Sequence, residues 1–193
     1  MNAGRNYIDI TPASLAVHCV ERAAQEVQDA TRGTPMRWWF AISDIDQALT
    51  AALVEVLTGT AGIGALTERL QIEWLTYFGE GGKAPKESRL APFDDLLERA
   101  QDVANSHDMS GTLLLSVEDK KDILRLHEFR NNLLHVKPVS WSLEITGLPM
   151  MIGAVTKALK QLFEMNPLNL HLDEHEVQRA NEAIDKILKL IDP

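Results

Sequence analysis

Residues Pro35 to Gly59 read PMRWWFAISDIDQALTAALVEVLTG, and their pattern indicates the class of fold most clearly. Its apolar residues recur every three or four positions, at Trp38, Ile42, Ile45, Leu49, Leu53 and Val56. This spacing places them on one face of an α-helix, and that face must be buried against other elements. Proline at the start and glycine at the end are typical of helix boundaries.

Six further segments show helical periodicity, and no stretch alternates convincingly as a strand does. They begin near Thr11, Leu66, Pro92, Ser116, Pro149 and Asp173. We therefore expect an all-α helical bundle in a single domain, 1–193, with a core bundle at 36–164 and flanking helices at 1–35 and 165–193. The apolar side of the last helix serves either as a lid on the core or as part of a dimer seam, and we favour the lid.

Composition supports a folded, intracellular protein. The chain has 193 residues, of which 45% are hydrophobic, enough for a sizeable core. The single cysteine, Cys19, excludes an internal disulfide and fits a reducing cytoplasm. No apolar segment follows Met1 as in a secretory signal, and no apolar run approaches the roughly 20 residues of a membrane span. We expect a cytoplasmic protein without a membrane partner.

The candidate site is the segment 130–135, RNNLLH, which lies near the end of the helix that Ser116 and Asp119 open. Arg130 falls within the apolar stripe that Ile123, Leu126, Leu133 and Leu134 form on that helix. A buried guanidinium without a partner costs several kcal/mol or more, so Arg130 must face a carboxylate, a carbonyl, a cleft or a second subunit. A purely structural ion pair with Asp46 or Glu128 is the alternative to a functional role.

His127, Asn131 and His135 follow one another at intervals of four and form a polar ridge beside Arg130. Asn131 is placed to hydrogen-bond either imidazole and fix its orientation. His135 lies just before Pro138, where helix-terminal carbonyls favour an imidazolium. Residues five apart are about 140° apart on a helix. Arg130 and His135 therefore converge only if the last turn is distorted or two chains share the site.

Asp46 is the carboxylate we expect near this ridge. On the helix at 38–58 it projects close to the stripe of Ile42, Leu49 and Leu53, whereas Asp44 points away. Asp46 could orient Arg130 or His135, or it could simply sit at the edge of the stripe.

The motif of Arg130, Asn131, three further residues and His135 resembles the signature of the HEPN superfamily of small helical bundles. That resemblance implies a metal-independent endoribonuclease that acts as a homodimer, often in toxin–antitoxin or antiphage systems. It implies RNA as substrate, no metal or other cofactor, and an antitoxin or nucleotidyltransferase-like protein as a regulating partner. The alternative is a non-catalytic helical module of the same shape that binds a partner protein.

The chemistry requires a group that moves protons and a group that holds phosphate. A base removes the proton of a ribose 2′-OH, and the oxygen attacks the adjacent phosphorus, giving a cyclic phosphate and a 5′-hydroxyl end. His135 is the predicted proton carrier and Arg130 the predicted phosphate ligand, with Asn131, His127 and Asp46 in support. One motif supplies one His135, so an isologous dimer would supply both acid and base.

Two observations bear on other ligands. The formal net charge of −9 argues against nucleic acid, because proteins that bind phosphate backbones are usually basic. The run His171, Leu172, Asp173, Glu174, His175 matches a zinc-peptidase pattern, but too few residues follow it for a third ligand. We therefore expect no metal there, and interpret Asp173 and Glu174 as first-turn acids.

Overall fold

The structure is a computed structural model that describes residues 8–59, 61–102, 111–134, 138, 142–165, 168 and 171–191. In this part of the chain it is all-α, as predicted, with seven helices and no strand. The one β-type pairing among the described residues is an isolated antiparallel bridge between Leu66 and Leu90. None of the described helices combines the length and the apolar character that crossing a membrane requires.

The helices follow the predicted segments closely. Their bounds are Pro12–Thr31 (α1), Arg37–Thr58 (α2), Glu68–Glu80 (α3), Phe93–Gln101 (α4), Val117–Leu134 (α5), Leu148–Phe163 (α6) and Glu174–Ile191 (α7).

Reciprocal side-chain caps fix where several helices begin. Thr11 and Ser14 form a capping box at α1. The Ser116 hydroxyl accepts from the backbone N–H of Asp119 at 3.0 Å, so the predicted cap of α5 is present. The third helix starts at Glu68 rather than near Leu66. The backbone of 65–67 instead pairs with 89–91, and a strand-like segment cannot also be helical.

Helix α2 lies at the centre of the bundle. It packs against α1, α4, α5 and α6, while α7 covers α1 and α6. Alanines such as Ala16, Ala23 and Ala24 let α1 approach α2 closely, and these residues belong to the same apolar cluster as α2 and α7. Ile184 and Ile187 of α7 are fully buried within the single chain, which agrees with the lid interpretation.

Helix α3 differs from the others because its apolar face is not covered. Leu70 is its only buried residue, whereas Ile72, Leu75 and Phe78 are more than half exposed. Its aromatic residues Trp74, Tyr77 and Phe78 contact one another on the outside of the helix.

The central position of α2 also corrects the expectation for Asp44. Asp44 was predicted to point away from the apolar stripe, yet only 7% of its surface is exposed. Because α1 covers the side of α2 opposite α5, Asp44 is buried there and pairs with Arg22 of α1 at 3.1 Å. A helix that packs against neighbours on several sides has no solvent-exposed face at its middle.

Candidate functional site

The centre of the site is the carboxylate of Asp46, which α2 holds inside the bundle. The side chain of Asp46 is 2% exposed. Its Oδ1 lies 2.8 Å from Nδ1 of His127, and its Oδ2 lies 3.3 Å from Nε of Arg130. Both partners come from one face of α5, three residues apart. One buried carboxylate therefore holds an imidazole and a guanidinium side by side.

The two contacts of Asp46 differ in quality. The contact with His127 is a hydrogen bond, whereas Oδ2 has no hydrogen-bond partner despite its distance to Arg130. The pair with Arg130 is thus an ion pair without hydrogen-bond alignment, and we assign the stronger interaction to His127.

His127 is fixed in both tautomer and ring plane. An ionised carboxylate only accepts hydrogen bonds, so Nδ1 must donate to Asp46 and Nε2 is the nitrogen left for chemistry. The ring of Phe93 stacks on the imidazole, with ring centres 4.0 Å apart and planes 3° from parallel. The side chain of His127 remains 23% exposed, so solvent reaches part of it.

Arg130 is half-buried beside His127. Its side chain is 26% exposed, and its Nη1 donates a hydrogen bond to Oδ1 of Asn131 at 3.0 Å. Asn131 was expected to contact an imidazole; among the described residues its side chain contacts Arg130 instead. Leu134 was placed in the apolar stripe of α5, but it is the last residue of the helix and is 50% exposed.

The predicted catalytic histidine, His135, lies outside the described residues, together with Val136 and Lys137. The described part of the predicted site is therefore Asp46, His127, Arg130 and Asn131. The structure brings these four together, and it includes the Asp46 pair that the sequence offered as a structural alternative.

An apolar groove lies at the end of α5, with Leu133 in its wall one turn after Arg130. It encloses about 260 Å³ and lies between the start of α2, Leu133 of α5 and the segment that precedes α6. Its walls include both adjacent tryptophans of α2, Trp38 and Trp39, together with Met36, Leu133, Leu143 and Ile145. Trp38 is 5% exposed and Trp39 is 37% exposed. Trp38 thus belongs mainly to the core, and Trp39 is the more exposed tryptophan of the groove wall.

His171, the first residue of the zinc-peptidase pattern, pairs with a second buried acidic residue of α2, Glu55. Glu55 is buried, accepts from the backbone N–H of Ala13 at 3.2 Å and contacts Nδ1 of His171. Asp173 and Glu176 cap the start of α7 reciprocally. In the described part of the chain, no three His, Cys, Asp or Glu side chains are grouped to hold a metal ion.

Burial also sets the ionisation of two groups on the opposite side of α2. Burial raises the pKa of Asp44 above its ordinary value, although the nearby guanidinium of Arg22 acts in the other direction. Burial, with the charge of Asp44, raises the pKa of the Cys19 thiol to about 11. This thiol is therefore protonated near neutral pH, as expected of a structural cysteine.

Two features of the site were missed by sequence reasoning. The stacking of Phe93 on His127 joins the start of α4 to α5, and no local pattern signals such a contact. His127 was treated as support for His135, although the nearness of Asp46 to the stripe already allowed a direct pair.

Comparisons of the chain with protein-family models, with curated proteins and with solved structures gave no match. The resemblance to the HEPN superfamily accordingly rests on the motif at 130–135 and stays a prediction.

Proposed function

We propose that this protein is a metal-independent endoribonuclease of HEPN type, in which Arg130 holds the scissile phosphate and histidines move the protons. The observation that carries the proposal is the shared carboxylate of Asp46, which holds His127 and Arg130 next to each other while leaving each about one quarter exposed. A base oriented by a buried carboxylate, next to a planar cation, is the arrangement that phosphodiester cleavage without metal needs.

The proposed reaction assigns one step to each group. Nε2 of a neutral histidine accepts the proton of the ribose 2′-OH, and that oxygen forms a bond to the adjacent phosphorus. The bond from phosphorus to the 5′-oxygen then breaks, and an imidazolium protonates the leaving oxygen. The guanidinium of Arg130 binds the non-bridging oxygens as their charge grows.

His127 and His135 are the two proton carriers that the chain offers for these steps. Asp46 and Phe93 support His127 in this role, because they fix its tautomer and its ring plane. Asp46 acts on His127 and Arg130 without touching substrate, so it is a positioning residue. In the proposed homodimer, a second copy supplies a second set of these groups.

The wider setting of the proposal follows from the same resemblance. We propose RNA as substrate, since DNA lacks the attacking hydroxyl, and a role as a toxin or antiphage effector in the cytoplasm. An antitoxin or nucleotidyltransferase-like protein would be the regulating partner.

A second candidate function is a non-catalytic helical module that binds a partner protein. The ion pair of Arg130 with buried Asp46 favours it, because a paired guanidinium is less available to phosphate. The net charge of −9 favours it as well.

The test is cleavage of a structured RNA by wild-type protein and by His127→Ala, His135→Ala and Arg130→Ala. Replacing a proton carrier should lower the rate roughly 10²- to 10⁴-fold, and Arg130→Ala should lower it by a similar factor. His175→Ala is the matched control, because His175 is exposed and lies outside the site. Thermal unfolding of each variant separates lost chemistry from lost folding.

Three outcomes would contradict the proposal. A wild-type protein that does not cleave RNA would favour the binding module. Equal cleavage by wild type, His127→Ala and His135→Ala would place the activity elsewhere, and a loss in His175→Ala as large as that in His127→Ala would remove the specificity of the effect.

A further inference from the structure

We propose that the groove at the end of α5 binds an unstacked nucleobase of the RNA whose phosphate Arg130 holds, with the indole of Trp39 as its stacking surface. This inference rests on the proposed ribonuclease function and assigns a substrate subsite to it.

The shape and lining of the groove suit a flat aromatic ligand. Its walls are apolar side chains, and its volume of about 260 Å³ is that of a small site. Trp39 in its wall is 37% exposed, whereas Trp38, which also lines the groove, is only 5% exposed. An exposed indole in an open groove presents a π-face, and every nucleobase has a π-face to place against it.

The position of the groove relates it to the proposed phosphate ligand. Leu133, which lines the groove, lies three residues after Arg130 on the same face of α5. The two positions are about 4.5 Å apart along the helix axis. A strand whose phosphate contacts Arg130 can therefore place the same or the next base in the groove.

The negative charge of the protein is a physical reason to expect such a subsite. A chain with a formal charge of −9 gains little affinity for RNA from its overall field. Asp46 also offsets part of the charge of Arg130. Affinity must then come from contacts that do not depend on net charge, and stacking on an aromatic ring is such a contact. An apolar peptide would fit the walls of the groove, but the guanidinium of Arg130, one turn earlier on α5, favours a nucleotide.

The experiment measures binding without cleavage. The probes are two 2′-O-methyl RNA hexamers, one carrying adenine at every position and one abasic throughout, since neither has a free 2′-OH to attack phosphorus. Dissociation constants are measured for wild type, Trp39→Ala, Trp39→Phe and Arg130→Ala. Phe78→Ala is the matched control, because Phe78 is an exposed aromatic residue of α3 that does not line the groove.

Wild type should bind the adenine hexamer more tightly than the abasic one. Trp39→Ala should weaken binding of the adenine hexamer roughly 5- to 150-fold, equivalent to about 1–3 kcal/mol for one stacked base, and leave abasic binding unchanged. Trp39→Phe should retain most of the preference, and Phe78→Ala all of it. Arg130→Ala should weaken binding of both hexamers by the same factor.

Equal binding of the two hexamers by wild type would overturn the base subsite and favour an apolar peptide as the occupant of the groove. An unchanged preference in Trp39→Ala would overturn it as well. These failures are distinct from failure of the proposed function. RNA cleavage without a base preference would remove the subsite alone, and a base preference without cleavage would remove the ribonuclease proposal alone.

Discussion

Replacing Asp46 with asparagine removes the charge at the centre of the site and changes the volume of the side chain very little. Asp46 is 1% exposed and holds His127 at 2.8 Å and Arg130 at 3.3 Å. The substitution replaces one acceptor oxygen with an amide that can only donate, and it leaves Arg130 without its counter-charge. We expect Asp46→Asn to destabilise the folded protein.

The magnitude follows from the burial of the partners. Hydrogen bonds to charged groups contribute about 1.5–3 kcal/mol, and removing one partner of a fully buried pair costs about 3–5 kcal/mol. His127 and Arg130 are 23% and 26% exposed, so water can solvate them in part and the cost moves to the lower range. We expect a loss of about 2 kcal/mol in the free energy of unfolding, or a fall in Tm of roughly 4–8 °C for a chain of this length.

The matched control is Asp44→Asn. Asp44 is also a buried acid of α2, but its partner Arg22 is 67% exposed, and such pairs contribute about 0–1 kcal/mol. Urea and thermal unfolding of both variants and of wild type are the assays. An Asp46→Asn protein as stable as wild type, or less affected than Asp44→Asn, would show that Asp46 does not hold the site together.

Three further predictions concern the rest of the bundle. Gly64→Ala should lower the free energy of unfolding by about 1–3 kcal/mol, since its Cβ would lie 1.9 Å from the Leu57 carbonyl oxygen. A Cβ added by Gly79→Ala inside α3 meets no atom within 4 Å, so this variant should raise the free energy of unfolding by up to about 1 kcal/mol. Urea unfolding measures both changes, and the reverse order would contradict this packing. Because burial raises the pKa of Asp44, the native protein holds that proton to a higher pH than the unfolded chain, so this group's contribution to stability falls as pH rises from about 4 through the raised pKa. Asp44→Asn should therefore gain stability relative to wild type between pH 4 and pH 7, and a relative loss measured by denaturation would oppose the assignment. Cys19, buried and with a pKa of about 11, should react with a thiol reagent only after unfolding, and rapid labelling of the native protein would show that it is accessible.

The sequence predicted the helices because their boundaries depend on local signals. The period of the apolar residues in α2 and the caps at Thr11 and Ser116 act within a few residues. The predicted start of α3 near Leu66 was wrong because residues 65–67 pair with residues 89–91, which are far away in the sequence. The burial of Asp44 was missed for a related reason, since helical periodicity does not tell how many neighbours surround a helix.

The candidate site was predictable in its residues but not in its contacts. The period of α5 placed His127, Arg130 and Asn131 along one side, and Asp46 was near enough to the stripe of α2 to be named. That Asp46 holds both His127 and Arg130 depends on the packing of α2 against α5, as does the stacking of Phe93 on the imidazole. The different exposure of Trp38 and Trp39 also depends on packing, because these adjacent residues lie on different sides of α2 and only the side of Trp38 is covered.

We propose that the groups around Asp46 cleave RNA through its own 2′-hydroxyl and without metal. The most direct measurement is the end-group chemistry of RNA products formed by wild-type protein in the presence of EDTA, with a matched substrate carrying a single 2′-deoxy nucleotide at the cleaved position. We expect 2′,3′-cyclic phosphate and 5′-hydroxyl ends, and no cleavage at the 2′-deoxy position. Products with 5′-phosphate ends, cleavage that EDTA abolishes, or cleavage that continues at the 2′-deoxy position would contradict it.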